Sequence, residues 1–288
     1  MAFKGIFRMS DIILFPPTET LLRVADVGYT KSSRYFYAQL ILALLAGAFI
    51  AFASNASTIA SFNLLARPET FGLGKLVSGL VFPTGLIFVV LAGAELFTGN
   101  CLLVVSVLEK RIRFSQMLKN WGLVYLGNII GSLLVVMLVF YSGQLSSAGN
   151  ALGGTSIKLA YGKLSFHFIQ PFCLGVLCNW LVCLAVWFSL SVKDILGKVL
   201  SCFFPVLVFV TAGFEHSIAN LYYVPIGILA THVPEYVQAS ALTNEALQHL
   251  TVHNFLFKNL IPVTIGNIVG GVGFGIIMWI VFKPQKKS

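Results

Sequence analysis

Charged residues are scarce in this sequence. Asp, Glu, Lys and Arg make up only 10% of the 288 residues, whereas hydrophobic residues make up 57%. A soluble domain carries roughly 25% charged residues because water covers its surface. The composition therefore excludes an ordinary soluble domain and indicates that most of the exterior faces a lipid bilayer.

Acidic residues are scarcer still. There are ten of them against 19 Lys and Arg, which gives a formal net charge of +9. In a soluble protein this excess would make nucleic acid a candidate partner. In a membrane protein it follows from topology, because basic residues accumulate on the cytoplasmic side. We therefore expect lipid, and no nucleic acid, as a partner.

The sequence has five cysteines and no Cys-x-x-Cys pair. Cys173, Cys178 and Cys183 are spaced by five, so on a helix they rotate around the axis and do not share the face that a metal site needs. All five lie within or beside apolar runs, where free cysteine behaves as a small hydrophobic residue. The sequence predicts no disulfide, no metal site and no cofactor.

Six apolar runs are long enough to cross a bilayer, which takes about 20 residues per helix. The second and fifth runs are long, and small and polar residues interrupt each of them, so we expect these two helices to be broken inside the membrane. The runs predict an all-α integral membrane protein with helices at residues 37–54, 77–108, 114–141, 166–190, 195–230 and 255–282.

The two interruptions share one pattern. Residues 92–95 read Ala-Gly-Ala-Glu and are followed by Asn100, while residues 212–215 read Ala-Gly-Phe-Glu and are followed by Asn220. In both cases the asparagine follows the glutamate by five positions. One span later, each half contains two asparagines eight positions apart, namely Asn120 with Asn128 and Asn259 with Asn267.

These matches predict an internal duplication of residues 37–141 and 166–282. Because each copy has three spans, an odd number, the second copy must be inverted in the membrane. Inverted repeats with broken helices in corresponding positions mark a transport pathway, with its site at the interface between the repeats.

Lys and Arg are distributed unequally between the two sides of the predicted membrane, 14 against 5. Both termini are therefore predicted to be cytoplasmic in a multi-pass protein of the cell (inner or plasma) membrane.

The predicted regions are a cytoplasmic segment 1–36, a channel domain 37–282 and a cytoplasmic basic tail 283–288. Residues 17–28 predict an amphipathic helix on the membrane surface, either an interfacial anchor or a gate over the pore mouth.

His216 lies next to Glu215 in the second interruption, deep in apolar sequence. A lone buried histidine is more often structural, but ionisable residues inside a membrane are functional by default. An imidazole close to its neutral–charged boundary can hold an anion or pass it a proton. We therefore expect His216 to face the pore, with Phe97 or Thr98 as its approximate counterpart in the first half.

Glu95 and Glu215 occupy equivalent places in the two interruptions. Either they relay protons, or they hold the loop shape by accepting backbone N–H bonds from their own interrupted helices. Their symmetric placement favours the scaffold role, and a carboxylate in the pore would also repel an anion. The asparagines expected to support the broken helices by hydrogen bonds are Asn100, Asn179 and Asn220.

Four segments resemble the formate/nitrite transporter family, including its formate channels. They are residues 90–99 (VLAGAELFTG), 175–185 (GVLCNWLVCLA), 213–220 (GFEHSIAN) and 259–267 (NLIPVTIGN). The resemblance implies an aquaporin-like protomer in a homopentamer, with a pore in each protomer for small monovalent anions. Formate is the first choice of substrate, with nitrite or hydrosulfide as the alternative. Two modes of transport stay open: the substrate crosses as the anion, or it crosses as the neutral acid after proton transfer with His216.

The resemblance also implies site residues. His216 would be the central histidine of the pore, faced by Thr98 and Asn267, although each of those two could instead satisfy loose backbone groups. Lys163 would lie near the external entrance, where it draws anions inward. Apolar rings that exclude hydrated ions are implied at Phe82, Leu86 and Phe209 on the external side and at Leu96, Phe97 and Val182 on the internal side.

Other classes of protein are disfavoured. An intramembrane enzyme could use Glu215 and His216 as an acid–base pair, but adjacent helical residues point about 100° apart. No nucleophile, metal or cofactor motif accompanies them in the sequence. A purely structural membrane protein would not need two broken helices with repeated polar motifs, and neither interruption carries the Asn-Pro-Ala box of water channels.

Overall fold

The computed structural model describes residues 14–283, and this part of the chain is a bundle of helices. The first thirteen residues of the predicted segment 1–36, and the predicted tail apart from Lys283, lie outside the described residues. The helices are α1 (Pro17–Ser32), α2 (Phe36–Leu65), α3 (Phe71–Val81), α4 (Pro83–Leu91), α5 (Phe97–Asn100), α6 (Leu103–Leu108), α7 (Phe114–Tyr141), α8 (Ala151–Leu164), α9 (Ile169–Ser191), α10 (Ile195–Ala212), α11 (Ser217–Ala230), α12 (Pro234–Ser240), α13 (Asn244–Gln248), α14 (Val252–Asn254) and α15 (Ile261–Phe282).

The described residues contain six helical segments that are long and apolar enough to cross a membrane. Two shorter apolar stretches, Phe97–Leu108 and Ser217–Ala230, follow breaks in the second and fifth of them. The prediction of an all-α membrane protein with broken second and fifth helices is confirmed. The six segments are Phe36–Leu65, Pro68–Leu91, Phe114–Tyr141, Ile169–Ser191, Ile195–Ala212 and Val252–Phe282.

A left-handed glycine lies at each break. Gly93 has a φ of +68° just after α4, and Gly213 has a φ of +78° just after α10. Glycine adopts this conformation without the steric cost that a Cβ imposes, so it commonly ends a helix. The chain is then extended at Leu96 and at His216, the residues that precede α5 and α11.

Helix α2 is longer than the predicted helix at residues 37–54, because it continues to Leu65. The added turns are rich in Ser and Thr. Their hydroxyls donate to carbonyls one turn earlier, from Thr58 Oγ1 to Ser54 O (2.9 Å) and from Ser61 Oγ to Ser57 O (2.7 Å). These bonds satisfy the hydroxyls inside the helix, so a polar sequence remains helical at the end of a membrane span.

The two halves of the chain pack in the same way, α2 along α7 and α9 along α15. Glycines allow the close approach in both pairs. A Cβ on Gly131 would collide with Leu44 O, and a Cβ on Gly270 would collide with Val176 O. Small residues at helix interfaces are the usual means by which membrane helices pack closely.

Both breaks are attached to the bundle by equivalent bonds. The Glu95 N–H donates to Leu42 O on α2 (3.1 Å), and the Glu215 N–H donates to Leu174 O on α9 (3.3 Å). Each copy crosses the membrane three times, so the two copies have opposite orientations. We call the side that carries α1 and the end of α15 the terminal side, and the other the distal side.

A further helix belongs to each copy. The predicted repeats left out residues 142–165, but Ala151–Leu164 forms α8. Lys31 near the end of α1 and Lys163 near the end of α8 bind the glutamates of the two breaks. The repeat therefore extends beyond the predicted boundaries and includes α1 in the first copy and α8 in the second.

The predicted amphipathic helix is present as α1. Its apolar face, which includes Leu21 and Val24, is buried against the rest of the protein. Ser106 Oγ on α6 donates to Ala25 O at 2.9 Å and fixes the helix there. The face that the anchor interpretation assigned to lipid is thus the face that contacts the membrane domain.

Candidate functional site

The imidazole of His216 joins the two broken helices. Its Nδ1 accepts a hydrogen bond from the Ala219 N–H (3.1 Å) and so caps the first turn of α11. Because an acceptor nitrogen carries no proton, the neutral ring has its proton on Nε2. Nε2 lies 2.9 Å from Thr98 Oγ1 on α5, and both side chains are buried. The Thr98 hydroxyl accepts from Nε2 and keeps its own proton available for a ligand.

An asparagine holds the start of each short helix. Asn128 Oδ1 accepts from the Phe97 N–H, and Asn267 Oδ1 accepts from the Ser217 N–H, both at 2.9 Å. Phe97 is therefore the counterpart of Ser217, and the residue before it, Leu96, is the counterpart of His216. The sequence-based expectation of Phe97 or Thr98 in that place was off by one or two residues.

The amide of Asn267 is engaged entirely by backbone groups. Besides accepting from Ser217, it donates to Gly175 O (2.8 Å) and to Glu215 O (3.0 Å). Asn128 makes the equivalent bonds to Ala43 O and Glu95 O. These are the bonds expected for the backbone-satisfying role that was considered beside a pore role.

Glu95 is fully buried and is held by side chains of the terminal side. Arg34 Nη1 donates to its Oε1, Lys31 Nζ lies 3.2 Å from Oε2, and Asn100 Nδ2 donates to Oε2 at 2.7 Å. Asn100 in turn donates to Asn120 Oδ1 (3.0 Å). The expected backbone N–H donors are replaced by cations and an amide, because α1 and the segment after it bring basic residues to the carboxylate.

Glu215 has the equivalent surroundings on the distal side. Lys163 Nζ donates to Oε1 (2.7 Å), while Asn220 and Asn259 donate to Oε2 at 2.7 and 3.1 Å. Both carboxylates therefore hold the broken helices to neighbouring elements through side-chain donors, and not through the backbone N–H bonds that the scaffold interpretation expected. Since Lys163 forms an ion pair with Glu215, much of its charge is compensated.

Asn179 on α9 supports the same region. Its Nδ2 donates to Thr98 O (3.2 Å) and to Asn267 O (2.7 Å). One amide thereby fixes α5 and α15 relative to α9. This places the Thr98 hydroxyl rigidly opposite His216.

A very small apolar cavity of about 10 Å³ lies against His216. A cavity of this size has room for about one water molecule. A hydrated anion is larger than that, so the passage is closed to it here. The ring planes of Phe82 and Phe209 meet edge to face at a centroid distance of 5.8 Å. The lining brings together five of the six predicted constriction residues, Phe82, Leu86, Leu96, Val182 and Phe209, with Ile50 and Val206.

Phe97 is not in this lining. Its ring packs edge to face against Tyr125 at a centroid distance of 4.8 Å and against Trp121 at 6.1 Å, both on α7. The side chain of the neighbouring residue, Leu96, lines the cavity in its place. Phe97 contributes to the packing of α5 on α7.

A larger cavity of about 120 Å³ lies on the distal side and shares Phe82, Phe209 and His216 with the small one. It contains Lys163, as the resemblance implied for the entrance, and also Lys75 on α3, which sequence analysis did not single out. A third cavity of about 20 Å³ lies on the terminal side, beside Gly99 and α1. The three cavities follow the two breaks across the bundle.

Lys75 has no hydrogen-bond or ion-pair partner within residues 14–283, unlike Lys163. It lies close to Gly213, where an added Cβ would be 2.9 Å from Lys75 Nζ. Lys75 lies two residues before the predicted run 77–108 but inside the span Pro68–Leu91. A longer second run would have included it, and ionisable residues in a span point to a pathway.

The comparisons with known proteins agree with this geometry. The sequence model of a family described as formate/nitrite transporter matches residues 18–281. The chain belongs to the formate/nitrite transporter family. Formate channel FocA of Escherichia coli (strain K12) is 41% identical over 263 residues, which cover 90% of this chain and 92% of FocA. A probable formate transporter of Methanothermobacter thermautotrophicus is 36% identical, with 90% and 93% covered.

Solved structures of the family have the same fold. A pentameric formate channel with formate bound superposes with a TM-score of 0.76 at 36% identity, covering 86% of this chain and 97% of that one. An ion channel of the family also gives a TM-score of 0.76, at 26% identity, with 92% and 99% covered. The described residues of the present chain therefore have the formate/nitrite transporter fold.

Proposed function

We propose that the protein conducts formate, and other small monovalent anions, through a pore in each protomer of a homopentamer in the cell membrane. The observation that carries this proposal is the Thr98–His216 hydrogen bond, which lies next to the apolar constriction where the two broken helices meet. Relatives named as formate channels and transporters, and a pentameric structural neighbour, support the substrate and the assembly.

Electrostatics favour anions at both ends of the pathway. On the terminal side Lys31 and Arg34 accompany one buried carboxylate, and on the distal side Lys75 and Lys163 accompany the other. Two cations for each carboxylate leave an excess positive charge near each mouth. A positive cleft with low-dielectric walls raises the local concentration of anions.

In the proposed pathway the anion loses water at Phe82 and Phe209 and reaches His216. Desolvating a charge is costly unless hydrogen bonds replace the lost water. The Thr98 hydroxyl proton is the donor available there, because the His216 Nε2–H is donated to Thr98 Oγ1. Because the constriction is closed, passage requires the phenyl rings of Phe82 and Phe209 to move.

Proton transfer with His216 would let formate cross as the neutral acid. The exchangeable proton is the one on Nε2, because Nδ1 is occupied by the Ala219 N–H. Exchange would therefore take place on the side of the ring that contacts Thr98. With the excess of Lys and Arg on the terminal side, we place both termini in the cytoplasm.

The proposal is tested by uptake of formate, nitrite and hydrosulfide into proteoliposomes that contain the purified protein, with protein-free liposomes as the control. We expect formate to be taken up fastest. If nitrite or hydrosulfide is faster, the anion pathway is retained and formate is not the preferred substrate. If none of the three exceeds the protein-free control, the proposed function is wrong.

A further inference from the structure

A surface pocket separate from the pore lies on the terminal side, between the first turns of α2 and α7. Its volume is about 390 Å³, and its lining includes Arg34, Gln39, Lys119 and Asn120. The described residues that line it include no acidic side chain. Arg34 and Asn120 also belong to the hydrogen-bonded group around Glu95, and the other lining residues take no part in the pathway described above.

Three residues that line the pocket each have a buried polar atom without a hydrogen-bond partner among the described residues. The atoms are Ser32 Oγ, Gln39 Nε2 and Asn120 Nδ2, and the side chains of Gln39 and Asn120 are only 6% and 3% exposed. Buried polar groups nearly always have partners, since each unmade bond costs free energy. Two of the three atoms are amide donors, so the missing partner is a hydrogen-bond acceptor.

The inverted copy shows that the fold does not require these free donors. The Nδ2 of Asn259, the counterpart of Asn120, donates to Lys163 O (3.2 Å) and to Glu215. Gln39 precedes Leu42 by three residues, and the residue three before Leu174 is Pro171, which offers no side-chain donor. The unpaired amides are therefore particular to the terminal side.

The charges around the pocket favour an anion. Lys119 is exposed and has no ion-pair partner within residues 14–283, and Arg34 reaches the pocket while it contacts Glu95. Helix α2 begins here without a side-chain cap, so its first backbone N–H groups are available to a negative ligand. Two cations, two amides and a helix N-terminus match a group with several anionic oxygens.

The position of the pocket favours a lipid as the source of that group. Tyr35, Phe36 and Tyr37 at the start of α2 are all more than 60% exposed. Exposed aromatic residues of this kind lie at the membrane–water interface. Basic pockets between spans at this depth suit lipid headgroups. We propose that this pocket binds the phosphate of an anionic phospholipid in the leaflet on the terminal side.

The test is lipid binding to the purified full-length protein, measured by native mass spectrometry and by thermal stability. The probes are phosphatidylglycerol, phosphatidylcholine and inorganic phosphate alone. The test variant combines Gln39→Leu with Lys119→Gln. The matched control is Lys198→Gln, a change on the same side of the membrane but outside the pocket. Lys119→Gln alone is included because this exposed residue can change without disturbing folding.

We expect wild-type protein to retain phosphatidylglycerol in preference to phosphatidylcholine. Lys119→Gln should weaken that binding about fivefold, the double variant at least roughly tenfold, and Lys198→Gln by less than about twofold. Equal binding by the double variant and wild type would overturn the proposal. So would an equal stabilisation by inorganic phosphate alone, which would identify free phosphate as the ligand. Loss of assembly mass in Lys119→Gln would instead identify the pocket as a contact between protomers.

Discussion

Thr98 Oγ1 and His216 Nε2 lie 2.9 Å apart, although 118 residues separate them in sequence. This hydrogen bond connects the broken helix of one inverted repeat to the broken helix of the other. It lies beside the apolar cavity, where in the proposed pathway an anion has lost its water. The polarity of the constriction therefore depends on these two side chains.

Removing the Thr98 hydroxyl tests this dependence. Thr98→Val keeps the shape of the side chain, but it leaves the His216 Nε2–H without its partner and removes a donor for the anion. We expect formate uptake to fall roughly tenfold, as for the loss of one buried hydrogen bond. Thr84→Val, at an exposed hydroxyl on α4, is the control and should retain wild-type uptake. Uptake by Thr98→Val equal to that of the control would contradict the assignment.

Lys75 is predicted to recruit anions at the distal mouth. Lys75→Gln removes the charge of a lysine that forms no ion pair within the described residues, so we expect formate uptake to fall on the order of 3–10-fold at low ionic strength. The deficit should shrink in high salt, because screening reduces steering. Lys158→Gln, at an exposed residue of α8, is the matched control. A deficit that does not change with salt would argue against an electrostatic role.

Alanine variants of the two glycines at the breaks distinguish the effect of backbone strain from an effect on the position of Lys75. Gly93→Ala and Gly213→Ala both place a Cβ at a positive φ, so each should lower stability by about 1 kcal/mol. A Cβ at Gly93 meets no atom within 4 Å, whereas one at Gly213 displaces Lys75. We expect both variants to unfold at lower temperature, but only Gly213→Ala to lose uptake as Lys75→Gln does. If the two alanine variants take up formate equally fast, the contact between a Cβ at position 213 and Lys75 has no effect on uptake.

The Lys163–Glu215 ion pair should matter more for stability than for conduction. Glu215→Gln leaves a mostly buried lysine without its counter-charge, and we expect a loss of about 3 kcal/mol. Lys163→Met in the same chain should recover part of that loss, because the unpaired charge is then removed. The double-mutant cycle is measured by thermal unfolding in detergent. Additive losses would show that the pair does not couple.

The breaks could be predicted from the sequence because their signals are local. A glycine, a glutamate and an asparagine within nine positions recur in each half, and the structure has left-handed Gly93 and Gly213 at these positions. The lengths of the apolar runs likewise predicted the spans. Helix type and helix breaks depend on neighbouring residues, so one sequence is enough to find them.

The partners of the site residues were harder to predict because they are distant in the chain. Lys163 and Glu215 are 52 residues apart, and only the packing of α8 on α11 brings them together. Phe97 illustrates a finer limit. A shift of one residue decides whether Leu96 or Phe97 lines the cavity, and the hydrogen bond that the Phe97 N–H donates to Asn128 Oδ1 fixes that register.

The role of His216 is measured by formate uptake into proteoliposomes at two pH values, comparing wild type with His216→Asn. We expect wild-type uptake to be faster at the lower pH, where a proton is more readily supplied with the anion. We expect His216→Asn to be slower and to lose this pH dependence. If His216→Asn matches wild type in both rate and pH dependence, transport of the anion does not depend on His216 and the proposed pathway is wrong.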